Sequence, residues 1–86
     1  MATTYKLETV RLGSKGNHVL LVQEILRARD FKGADGKPLK LDKDAGDNTM
    51  FAVDSYIEAR AKQGADLGAK GAWGPKCWAD QGWAKV

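Results

Sequence analysis

Hydrophobic positions recur at helical spacing in three stretches, separated by polar, glycine-punctuated connections. From Asn17 to Arg29, Val19, Val22 and Leu26 form one stripe, flanked by Leu20 and Ile25, with Leu21 at its edge. From about Asn48 to Lys62, Met50, Val53 and Ile57 form a second, widened by Ala52 and Tyr56. A brief third helix is predicted from about Pro75 to Gln81. A turn and a glycine precede each helix: Gly16, Gly46 and Gly74. At the second of these, Ala45-Gly46 is expected to turn through a positive φ at the glycine, with Asp47 as the N-cap. At the third, Pro75 falls in the first helical turn, where its missing N–H costs nothing. Gly82 suits the position just past the end of that helix.

The connections carry fewer apolar residues, and each has one or two candidate anchors. Residues 1–12 alternate loosely at Tyr5, Leu7 and Thr9, which predicts an extended arm tucking Leu7 or Leu12 against the helices. Between Asp30 and Lys43, Leu39 and Leu41 alternate with Lys40 and Asp42, and Asp35-Gly36 suits a two-residue hairpin turn, so a short β-ribbon is expected here. In the Gly/Ala-rich run from Gln63 to Gly71, Leu67 is the one anchor. Gln23 sits among apolar residues of the first helix, and its amide is expected to satisfy the backbone of a nearby loop. The fold predicted is mainly α: a small closed three-helix bundle with an extended N-terminal arm and a short β-ribbon, one domain over residues 1–86.

Composition narrows the function classes. At 86 residues the core must be compact and fully used. The net charge of +3 comes from scattered Lys and Arg with no block of one sign, which reads as a solvated surface. Cys77 is the single cysteine, so no internal disulfide forms, and its place one turn into a helix predicts a buried thiol. One His and one Cys cannot close a zinc site. Asp42, Asp44, Asp47 and Asn48 crowd one loop, but an EF-hand starting at Asp42 would need a Gly at its sixth position and a Glu at its twelfth, where Asp47 and Val53 stand. These residues read as caps and turns, and neither metal nor cofactor is expected. No nucleophile, base and orienting group fall into a catalytic pattern. Met1 to Val10 lacks the apolar run of a signal peptide, and no segment is long and apolar enough to span a membrane.

Ligand chemistry is expected from aromatic rings, which stack on sugar faces, and from loop carboxylates. Tyr56 and Trp83 are expected to be partly exposed, while Trp73 and Trp78 suit either the core or a stacking surface.

The same glycine-led turns carry a family resemblance. The chain resembles the three-helix peptidoglycan-binding domain appended to bacterial and phage cell-wall hydrolases. That family opens with a Leu-x-x-Gly-like turn, a Gly-x-x-Val and an aliphatic-Gln pair, matched here by Leu12-Gly13-Ser14-Lys15-Gly16-Asn17-His18-Val19 and Val22-Gln23. Its middle signature, Asp-Gly-x-Phe-Gly-x-x-Thr-x-x-Ala-Val-x-x-Phe-Gln, is matched by Asp42-Lys43-Asp44-Ala45-Gly46-Asp47-Asn48-Thr49-Met50-Phe51-Ala52-Val53-Asp54-Ser55-Tyr56-Ile57. Its closing signature, Asp-Gly-x-x-Gly-Pro-x-Thr-Trp, is matched by Lys70-Gly71-Ala72-Trp73-Gly74-Pro75-Lys76-Cys77-Trp78. The match runs from Leu12 to Trp83. The chain departs from the pattern at Lys43, Ala45, Ile57, Lys70 and Cys77. Ala45 replaces a buried aromatic, and Trp73, its counterpart in the next turn, is expected to fill part of the space.

The resemblance implies a non-catalytic module that binds peptidoglycan, by glycan strand or stem peptide, and anchors an attached or partner hydrolase at the cell wall or outside the cell. The candidate contacts are Asp44, Asp47, Asn48, Tyr56, Trp78 and Trp83. Two rival readings come from other classes. One is a protein-interaction or assembly module of a phage or cell-surface protein. The other is a small nucleic-acid-binding domain using Arg11, Lys15, Arg27 and Arg29 on phosphates.

Overall fold

In the computed structural model, which describes residues 8–82, three helices pack around one core: α1 (Asn17–Ala28), α2 (Asp47–Lys62) and α3 (Pro75–Asp80). The two stripes predicted from spacing are buried, and the brief third helix adds Cys77 and Trp78. Val19, Val22 and Leu26 of α1 meet Ala52, Val53, Tyr56 and Ile57 of α2 and Cys77 and Trp78 of α3 in one hydrophobic cluster. The helices account for about 45% of the described residues, so the fold is mainly α with a small sheet.

The sheet lies elsewhere than expected. Strands β1 (Val10–Arg11) and β2 (Ala72–Trp73) pair antiparallel, Val10 opposite Trp73. No strand forms between residues 31 and 41. That connection curls into a local turn instead, with the Gly33 N–H donating to Lys37 O at 3.1 Å and the Gly36 N–H to Gly33 O at 3.0 Å. Pro38 removes a ladder donor beside it. Leu39 is buried, whereas Leu41 is exposed, so the predicted inward pair keeps one member. In the N-terminal arm, the inward residue is Val10, fully buried, while Leu12 is 64% exposed. Leu7 and Tyr5 lie outside the described residues.

The segments leading into the helices are stitched together. β1 pairs with β2 ahead of α3. The turn after β1 pairs with the segment ahead of α2: Gly13 N–H donates to Ala45 O, Ala45 N–H to Ser14 O, and Gly16 N–H to Lys43 O, at 2.9 to 3.0 Å. Residues 10–16 therefore join both of the other lead-ins, and the three helix entrances are held by backbone hydrogen bonds.

A common backbone register underlies these entrances. Each helix has a glycine at its N-cap: Gly16, Gly46 and Gly74. Three residues before each of them the chain passes through positive φ, at Gly13 (91°), Lys43 (61°) and Gly71 (95°). The expectation for α2 is corrected in two details. Gly46 has φ −85°, so the sharp turn is made at Lys43 and not at Gly46. Asp47 is the first residue of α2 rather than its cap, and its side chain makes no capping hydrogen bond. Of the three cap glycines, only Gly16, at φ 120°, sits where an L-residue is strained. Gly82, at φ 83°, follows α3 as predicted.

Candidate functional site

The site is assembled where the α1–α2 connection folds back on the start of α2. Its foundation is Gln23. This side chain is fully buried. Its Oε1 accepts from the Lys43 N–H at 3.1 Å. Its Nε2 donates to Asp42 Oδ1, Asp44 O and Thr49 Oγ1, at 2.9, 3.0 and 3.2 Å. One amide thus ties α1 to the turn and to α2, as the sequence led us to expect. Asp42 Oδ1 also accepts from the Asp44 N–H at 3.1 Å. The Gln23 hydrogen bond, followed by that backbone bond, holds the Asp42 carboxyl below its ordinary range.

Asn48 fixes the other wall. Its Oδ1 accepts from the Ala34 N–H at 3.1 Å, and Gly33 lies so close that a Cβ there would sit 2.7 Å from Asn48 Cβ. Gly33 is therefore required by close approach. Here opens a cleft of about 450 Å³, with Lys37, Pro38, Lys40, Asp44, Asp47 and Asn48 in its lining. Three of the six candidate contacts meet here. The Asp44 and Asp47 carboxylates are exposed and make no hydrogen bond or ion pair with other described residues. Asn48 keeps its amide NH₂ free, because its carbonyl alone is committed to Ala34. The cleft thus offers carboxylate acceptors, an amide donor and the ammonium groups of Lys37 and Lys40 to a polar ligand.

Two of the three aromatic residues expected at the site are not on the surface. Tyr56 and Trp78 are 1% and 2% exposed, so neither presents a ring face to a ligand. They belong to an aromatic cluster with Phe31 and Trp73. Phe31 meets Tyr56 edge-on at 5.5 Å, Tyr56 lies 5.0 Å from Trp73, and Trp73 meets Trp78 edge-on at 5.7 Å. The reason is core volume. In a domain this small the rings replace aliphatics that the sequence lacks, and each buries a large apolar area. Trp78 also donates its indole N–H to Glu8 O at 3.1 Å. The Trp73 indole N–H is buried without a hydrogen-bond partner among the described residues. Trp83 lies outside the described residues.

A second polar cluster, which sequence reasoning missed, clamps α3. Arg60 grips Asp80 through two bonds of 3.0 Å, from Nε and Nη2. The Tyr56 hydroxyl donates to Asp80 Oδ2. Gln81 bridges to α1, donating to the Tyr56 hydroxyl at 2.6 Å and accepting from Arg29 Nε at 3.0 Å. Arg60 holds the Asp80 carboxyl below its usual range. Burial, reinforced by the hydrogen bond to Asp80, pushes the Tyr56 phenol up to about 12. The signal available was a Tyr and an Arg four apart on one helix, Tyr56 and Arg60, which share a face.

Other sequence readings resolve as follows. Cys77 is fully buried, and burial pushes its thiol up, away from reactive thiolate chemistry. Leu67 anchors its loop, 8% exposed. Of the four cations considered for phosphate binding, Arg27 donates to Leu39 O and Arg29 to Gln81, so two serve the chain itself. Among the described residues, no three His, Cys, Asp or Glu side chains are arranged to hold a metal ion, and no helix is long and apolar enough to cross a membrane.

No protein-family model, curated protein or solved structure matches the chain.

Proposed function

We propose that this chain is a non-catalytic peptidoglycan-binding module that holds an attached or partner wall hydrolase at its substrate, at the cell wall or outside the cell. The observation that carries the reading is the register of the helix entrances. The resemblance rests on short signatures in which a glycine stands three residues before the cap glycine. At all three entrances the backbone takes positive φ at that place, including at Lys43, where this chain departs from glycine. The departure is thus one of side chain and not of backbone, which favours reading the three signatures as one pattern. The cleft at the second entrance supports a polar polymer as ligand. Its unpaired Asp44 and Asp47 accept from sugar hydroxyls or amide N–H groups, and the Asn48 NH₂ donates to a carbonyl. Tethering then acts by raising the local concentration of the linked enzyme on an insoluble substrate.

The test is co-sedimentation with purified, protein-free sacculi at low and moderate salt. Retention at both is expected. Asp47→Asn combined with Asn48→Ala lowers the retained fraction without altering the melting curve by more than a few degrees. Retention at low salt alone would mean charge attraction, and no retention at either salt overturns the proposal.

A further inference from the structure

We draw no further inference here: the strongest candidate, the depression of about 500 Å³ bordered by Arg11, Lys70 and Lys76 beside β2, has its two lysines paired with Glu58 and Asp66 and the Asp54 carboxylate on its Gly71 N–H, so its charge selects no ligand and nothing in the structure shows what covers it.

Discussion

The entrances to α2 and α3 share a backbone and differ in what holds it. Both run from a residue of positive φ, Lys43 or Gly71, through a buried side chain, Ala45 or Trp73, to a cap glycine in extended conformation. At α3 the buried position is a tryptophan whose ring contacts are with Tyr56 and Trp78. At α2 it is an alanine, and the turn is held from beneath by Gln23, through bonds to Asp42, Lys43, Asp44 and Thr49. One entrance is fastened by apolar volume, the other by a buried amide. An apolar plug tolerates small shifts in its surroundings. A saturated hydrogen-bond set does not, because each lost bond leaves a buried group unpaired. The polar fastening is at the entrance that carries the cleft, and it holds the Asp44 backbone through the Gln23 amide.

The largest effect should come from removing the plug. Trp73→Ala empties the centre of the aromatic cluster and is expected to cost about 3–5 kcal/mol, read by urea unfolding. Trp73→Phe should cost much less, since it keeps most of the ring and discards an indole N–H that has no partner among the described residues. A similar loss in both variants would break the account of this entrance as fastened by volume.

Gln23→Ala should follow, at about 2–3 kcal/mol, because it strands the Lys43 N–H and the groups that Nε2 serves. The effect has a second signature that the tryptophan variant lacks. Amide exchange should speed up at Lys43 to Ala45 and leave β2 slow. Uniform acceleration at both entrances would show that the two are not independently fastened.

A smaller effect separates the α3 clamp by pH. The Tyr56 phenol is raised to about 12 in the folded chain, against about 10 when unfolded. Its contribution is therefore whole below pH 10 and drains away as pH rises through the folded value. Asp80 runs the other way: its folded carboxyl lies below the ordinary value, so its contribution is present above about pH 4 and is lost as pH falls through the folded value. Tyr56→Phe should flatten the alkaline limb of the stability profile and shrink the acid limb without abolishing it, since Arg60 is the larger cause of the lowered Asp80 pKa. A normal phenolate titration for Tyr56, seen as the absorbance difference from Tyr56→Phe, would remove the clamp from the account.

How far the sequence carried depended on the range of the interaction. The helices and their buried faces were legible because a 3.6-residue repeat is local, and Gln23 stood out as a polar residue inside an apolar stripe. The β-ribbon was misplaced because Asp35-Gly36 has good turn chemistry but no partner strand close by. The true partners, Val10 and Trp73, are joined by tertiary folding alone. Tyr56 was expected to be partly exposed, although it widens the apolar stripe of α2. The structure buries the ring and satisfies the hydroxyl through Asp80 and Gln81, residues on or just past a different helix. Asp44, Asp47 and Asn48 were found as a crowd in sequence, but the residues that share their cleft, Lys37 to Lys40, came from a connection whose path only packing decides. Leu12 was expected to tuck inward and is exposed, and Phe51 was not singled out, since an exposed hydrophobic residue has no local mark.

The finest test of the shared register is at Lys43. Its φ of 61° costs an L-residue about 1–2 kcal/mol, which glycine would not incur. Glycine also gives the unfolded chain more freedom, worth about 0.5–1 kcal/mol against it. The difference predicts that Lys43→Gly stabilises the chain by about 0.5 kcal/mol, a small shift readable in a matched pair of urea curves. At the other entrance the same logic runs in reverse: Gly71→Ala forces a Cβ onto φ 95° and should destabilise by about 1 kcal/mol, although nothing lies within 4 Å of the added carbon. Opposite signs at the two equivalent positions would establish that one backbone requirement governs both entrances. A loss of stability in Lys43→Gly would instead mean that the lysine side chain stabilises the turn by more than its strained backbone takes away.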